Sequence, residues 1–199
     1  MDGTQESRIA GPVDSKVGLE VLQKQVSGCG GCDLARGRTQ TVFGEGAAGC
    51  GVMFIGEAPG AEEDATGRPF VGPAGQLLDR MIKAMNLTRE ECYIANVVKC
   101  RPPGNVTPNP TQTEACMPYL RRQIELIAPE IIVALGRVAA NALTGRVEAI
   151  ARLRHQWHTW GDIPFVVTYH PAALLRDQSR KKLAWEDLKM VMAKLRQLG

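Results

Sequence analysis

Four short apolar runs set the frame of this chain: Val52-Met-Phe-Ile55, Cys92 to Val98 (CYIANVV), Glu130 to Leu135 (EIIVAL) and Pro164 to Tyr169 (PFVVTY). Each is a nearly unbroken apolar stretch, the pattern of a strand buried on both faces. A segment with helical spacing follows each one. Leu77, Leu78, Met81, Ile82 and Met85 come after the first, and Met117, Leu120, Ile124 and Ile127 after the second. A helix through about Leu143, stopped by Gly145, comes after the third. Ala184, Leu188, Val191, Met192 and Leu195 come after the fourth, on a helix spanning Lys181 to Leu198. Strands alternating with helices leave few topologies open, and the expected fold class is α/β, a parallel sheet with helices on both faces.

Ahead of this frame, Asp14-Ser15 is expected to cap a helix carrying Leu19, Leu22 and Val26, ended by Gly28. Thr111-Gln-Thr-Glu114 has the form of a capping box for the helix after the second strand, and Thr88-Arg-Glu-Glu91 the same form for one short turn. A length of 199 residues fits one domain, placed at 16–199, with a flexible tail at 1–15. No apolar run reaches the length of a membrane span, and the N-terminus lacks a basic-then-apolar signal pattern; a cytoplasmic monomer is expected. A net charge of +3 permits a polyanion partner without demanding one.

The stretch between the first strand and its helix, Gly56 to Gly75 (GEAPGAEEDATGRPFVGPAG), holds Gly and Pro punctuation, four carboxylates and one aromatic residue. In open α/β sheets ligands bind beyond the carboxyl ends of strands, so this loop is the expected place for a site. Phe70 can act there as a stacking plate or simply pin the loop to the body; Glu62 and Asp64 read as solvated charges.

Six cysteines in a reducing compartment point to metal or catalysis rather than disulfides. Cys29 and Cys32 form a C-x2-C pair whose glycines allow a tight turn, and Cys100 and Cys116 form a C-x15-C pair. Four thiolates from two places in the chain can hold zinc or a [4Fe–4S] cluster, and spacing alone does not choose. Cys50 and Cys92 flank or enter strands and read as small buried hydrophobes.

GEAPGAEED…GRPFVG, IANVVKCRPPGN and HPAALLR now sit at three strand ends, and with the four cysteines in this order the chain resembles the family 4 uracil-DNA glycosylases, the iron–sulfur class of bacteria and archaea. The resemblance runs from about Cys29 to the C-terminal helix. It implies a three-layer α/β/α sandwich around a four-stranded parallel sheet, and a [4Fe–4S] cluster rather than zinc on Cys29, Cys32, Cys100 and Cys116. It also implies excision of uracil from DNA after the base leaves the stack. Gly56 and Ala58 then border the base, Phe70 stacks on it, Asn96 reads its edge, and His170 stabilises charge on the departing ring. Leu174 or Leu175 wedges into the gap left in the DNA. Arg101 and Arg176, with Arg152 and Arg154, grip phosphates. Ala58 stands where the best-known uracil glycosylases carry a water-positioning Asp, which is usual for family 4, so Glu57 and Glu63 are the carboxylates left to orient water or hold the loop. The implied enzyme is monofunctional, with uracil-containing DNA, single- or double-stranded, as its partner. The alternative is a non-catalytic or covalently trapping iron–sulfur protein that binds such DNA.

Overall fold

The computed structural model describes residues 12–198. The sheet has six strands: β1 (Glu45–Gly46), β2 (Val52–Gly56), β3 (Cys92–Asn96), β4 (Ile131–Leu135), β5 (Trp157–Trp160) and β6 (Ile163–Thr168), in the order β1-β3-β2-β4-β6-β5. The four apolar runs form the expected parallel core, with Phe54 beside both Ile94 and Val133, and Val133 beside Val166. The sheet is wider than the four strands expected. β1 adds antiparallel to β3, and β5 adds antiparallel to β6. These edge strands escape an apolar-run reading because they are not buried on both faces: β1 has only two residues, and β5 alternates exposed and half-buried positions.

The helices are α1 (Pro12–Ser27), α2 (Ala61–Thr66), α3 (Pro73–Ala84), α4 (Pro110–Ile127), α5 (Arg137–Thr144), α6 (Ile150–Leu153), α7 (Pro171–Arg176) and α8 (Lys181–Leu198). Alternate strand residues face two separate cores. Met53, Ile55, Tyr93, Ala95, Ile132, Ala134, Phe165 and Val167 pack with Leu120 and Ile124 of α4 and Ala139 and Leu143 of α5. Val52, Phe54, Ile94, Val133 and Val166 pack with Leu78 and Ile82 of α3 and Leu188 and Val191 of α8. The result is the three-layer α/β/α arrangement.

Three local details differ from the sequence reading. First, α1 begins at Pro12, ahead of the expected Asp14-Ser15 cap; the rest of the expected tail, residues 1–11, lies outside the described residues. Second, α4 is capped by Asn109 rather than by Thr111: the Asn109 side chain accepts from the Gln112 N–H, and the Gln112 side chain accepts from the Asn109 N–H, both at 2.9 Å. Pro110 occupies the first helical position, where its missing N–H costs nothing, and that sets the cap immediately before it. Third, the loop after β2 contains α2, a single acidic helical turn or two with no apolar period to betray it. Asp64 within it is buried, not solvated, and its carboxylate accepts from the Thr39 N–H at 2.9 and 3.2 Å.

Candidate active site

A pocket of about 430 Å³ opens at the carboxyl ends of the parallel strands. Glu57, Ala58, Glu63 and Phe70 reach it from the loop after β2, Asn96 from the end of β3, Thr107 from the loop beyond, and His170 and Arg176 from either end of α7. Phe70, Asn96 and His170, separated widely in sequence, therefore share one cavity. The Phe70 and His170 ring centroids stand 5.6 Å apart with planes tilted by 31°. Gly56 has to be glycine for this to work, since a Cβ there would collide with both the Asn96 carbonyl oxygen Oδ1 and the edge of the Phe70 ring.

Asn96 is 1% exposed, and its Oδ1 has no hydrogen-bond partner. An unpartnered buried acceptor costs about 1–3 kcal/mol, so its natural complement is a ligand N–H.

His170 caps α7, with Nδ1 accepting from the Ala172 N–H at 3.2 Å. That contact places the ring proton on Nε2, leaving a donor available. Burial, with Arg176 nearby, lowers the His170 pKa to about 4, against a smaller opposing pull from Glu63. The ring is therefore a neutral imidazole at physiological pH.

The two carboxylates have different jobs. Glu63 Oε1 accepts from the Val71 and Gly72 N–H groups, both at 2.9 Å, and Oε2 accepts from the Gly60 N–H at 3.0 Å. With three backbone donors on it, Glu63 ties the start of the loop to its end. Glu57 has a hydrogen bond from the Thr107 side chain, and its pKa is raised by burial against the pull of Thr107, Arg137 and Arg176. It remains the carboxylate with free capacity. Thr107 went unrecognised in the sequence; its signal was the irregular stretch following KCRPPGN, directly past a strand end.

Phe70 is buried rather than displayed on an exposed loop, and its backbone is left-handed, with φ of 51°. Such a conformation costs a residue with a side chain about 1–2 kcal/mol, so neighbouring contacts must impose it.

The two wedge candidates separate cleanly. Leu174 is 1% exposed and packs with Leu77 and Ala184, whereas Leu175 is 41% exposed. The expected basic cluster also divides. Arg176 lines the pocket, whereas the Arg101 Nε donates to Asn105 Oδ1 at 2.8 Å. Arg154, just past α6, is already engaged: it pairs with the fully buried Asp187 at 2.8 Å and donates to the Leu183 carbonyl, while Arg152 lies on the exposed side of α6.

A second, smaller pocket is lined by Cys29, Cys32, Cys100 and Cys116, with Arg38, Lys99 and Tyr119. All four cysteines are free thiols. Among the described residues no group of three or more His, Cys, Asp or Glu is gathered tightly enough to share a single metal ion. Donors converge on the sulfurs: the Gly31 N–H on Cys29 and the Lys99 N–H on Cys116, both at 3.3 Å, and Arg38 Nη1 on Cys100 at 3.2 Å. Burial pushes the Cys116 thiol up to about 11 and also raises Cys100, with Lys99 and Arg38 pulling the other way. Lys99 joins the two pockets. Its buried Nζ donates to the backbone carbonyl of Asn96 at 2.7 Å, and burial lowers its pKa to about 8. Cys50 and Cys92 are buried in and beside strands, as expected, and Cys50 donates to the Val52 carbonyl at 3.3 Å.

The fold and the pocket define an α/β protein that can enclose one flat, hydrogen-bonding ring at its strand ends. Residues 43–189 match the uracil DNA glycosylase superfamily, and the chain belongs to that family. It is 40% identical over 185 residues to the type-4 uracil-DNA glycosylase of Thermotoga maritima, covering 91% of this chain and 96% of that protein. The type-4 enzyme of Sulfurisphaera tokodaii is 43% identical over 182 residues, covering 87% and 83%. The type-5 uracil-DNA glycosylase of Pyrobaculum aerophilum is 31% identical over 140 residues, 62% of each chain. No helix among the described residues is long and apolar enough to cross a membrane.

Proposed function

We propose that this protein is a monofunctional uracil-DNA glycosylase, which takes a uracil out of the DNA stack and hydrolyses its N-glycosidic bond. The observation that carries this reading is the buried, unpartnered Asn96 Oδ1 beside the Phe70 ring. Uracil presents an N3–H to such an acceptor, with O4 beside it for the amide NH2. Cytosine has a bare N3 and an amino group at that edge, so both contacts fail. A site built to pair with a donor discriminates strongly against a ring lacking it.

Phe70 stacks on the base while Asn96 holds its edge. The C1′–N1 bond breaks with its electron pair moving onto the ring, and charge collects at O2. His170 donates from Nε2 to that oxygen as a neutral imidazole, and a preorganised donor of this kind lowers the barrier by about 3–4 kcal/mol. The sugar, now oxocarbenium-like, takes up water at C1′. Glu57 orients that water and accepts its proton, uracil is protonated from solvent, and an abasic site remains. Among the described residues no lysine lines the pocket, in keeping with a reaction that stops at base release.

Leu175 fills the gap in the stack, and Arg176 and Arg101 meet phosphates. The four cysteines fit a [4Fe–4S] cluster: they are free and line one pocket, three of them receive N–H or guanidinium donors, and the buried Cys100 and Cys116 need a positive centre as thiolates. When bound, the cluster supplies a rigid cross-link between the segment after α1, the loop after β3 and α4. The protein acts as a monomer.

Uracil release from a labelled oligonucleotide, resolved under denaturing conditions, tests this reading. Free uracil and an alkali-labile site are expected. A persistent protein–DNA adduct without released base would establish the trapping alternative, and folded, cluster-loaded protein releasing nothing would establish simple binding.

A further inference from the structure

The Phe70 backbone is held left-handed, with φ of 51°, by contacts on both sides of it. On one side, Glu63 takes the N–H groups of Val71 and Gly72. On the other, the Arg89 guanidinium reaches back nineteen residues: Nη1 donates to the Phe70 carbonyl at 3.2 Å and Nη2 to the Pro69 carbonyl. The same fork is braced by two carboxylates. Arg89 Nε donates to Glu45 Oε1 on β1 at 2.7 Å, and Nη1 to Asp79 Oδ1 on α3 at 2.7 Å. Arg68 closes the group by pairing with the other Glu45 oxygen at 2.9 Å. Gly75 supports the same peptide from α3, since a Cβ there would overlap the Phe70 carbonyl. The Arg89 side chain is only 16% exposed and does not line the pocket.

From this geometry, we propose that Arg89 is the positioning residue that locks the Pro69–Phe70 carbonyls and so aims the Phe70 ring at the substrate base; the proposal rests on the glycosylase reading above. Four acceptors from three parts of the chain converge on one planar cation. Only a guanidinium has donors enough, in a fixed fork, to serve them together, and a lysine ammonium in its place would reach fewer and fix no plane. The short edge strand β1 thereby gains a purpose, since it carries the carboxylate that anchors Arg89.

A double-mutant cycle tests this, reading single-turnover uracil release and inhibition by free uracil together with thermal melting. Arg89→Met is expected to slow release about 10–100-fold and to weaken uracil inhibition, with Arg89→Lys intermediate. In a Phe70→Ala background both Arg89 substitutions should cost less than twofold, because the ring they aim is gone. Losses that multiply in the double variant, or an Arg89→Met enzyme with wild-type rate and inhibition, overturn the proposal. Should Arg89→Met fail to fold, the Arg89→Lys arm of the cycle decides by the same criteria. Wild-type release is measured alongside: its absence sinks the glycosylase reading, whereas release with multiplying losses sinks only the role of Arg89.

Discussion

The two pockets hang on one length of chain. Asn96 ends β3 facing the larger pocket, and Cys100, a few residues on, faces the smaller. They are built on opposite principles. The larger pocket keeps a buried acceptor unpartnered, which costs folding free energy and makes sense only with a ligand in place, and it holds its histidine in the neutral form. In the cysteine pocket, three of the four sulfurs have a hydrogen-bond donor and cations stand beside them. One is organised for turnover and the other for cohesion. Substitutions in the first should therefore lower the rate and leave stability alone, and substitutions in the second should do the reverse.

The largest effect tests the first half of that contrast. His170→Ala and Asn96→Ala are each expected to slow uracil release about 100–1,000-fold, the usual loss for one donor aimed at developing charge, with melting temperatures close to wild type. A large drop in melting temperature would show that these groups hold the fold instead. Cys116→Ser tests the other half. It should lower iron and sulfide content and destabilise the protein by several degrees, as read by metal analysis and calorimetry. Unchanged iron with full stability would remove the cysteine pocket from the comparison.

Next in size is the leucine pair. Leu174→Ala should cost about 2–5 kcal/mol of stability, as for a core leucine. Leu175→Ala should leave melting unchanged and slow release from duplex more than from single strands, since only the duplex has a stack to fill. Glu57→Gln should cost about tenfold. Because burial raises the Glu57 pKa, its active carboxylate is lost at a pH above the ordinary carboxylate range as pH falls, and this acid limb should vanish in the Gln variant. The His170 pKa is lowered, so His170 stays neutral, with its stabilising neutrality intact, above the unfolded value of 6.5. Relative stability is lost as pH drops from there toward 4. The smallest effect is expected for Arg101→Ala: a modest loss of DNA affinity and a salt slope shallower by about one phosphate contact.

The parts of the fold that were legible in the sequence are those whose residues obey one rule along their whole length. Val52–Ile55 and Ile131–Leu135 are apolar throughout because both faces of their strands are covered, and Lys181–Leu198 shows its apolar face at helical spacing. Where partners are distant in sequence the signal disappears. Asp64 read as a loop charge because its partner, the Thr39 N–H, is a backbone group twenty-five residues away. Glu45-Gly46 is too short to show a period, and Trp157–Trp160 forms no apolar run because its residues alternate between exposed and half-buried. In the site, the triplet Phe70, Asn96 and His170 was accessible through motifs at strand ends. Arg89 was not, since nothing local marks an arginine that acts on a peptide nineteen residues earlier. The choice between Leu174 and Leu175 likewise needed the helix in place, because adjacent residues on one short turn face opposite ways.

That pair of leucines has a mechanical consequence. The six-residue α7 is a lever: Leu175 is its tip, and Leu174, seated among Leu77 of α3 and Ala184 of α8, is its fulcrum. Were Leu175 to press on a DNA stack, as proposed above, the load would fall on two full-length helices of the body rather than on a loop. Shaving the fulcrum should blunt the blade without touching it.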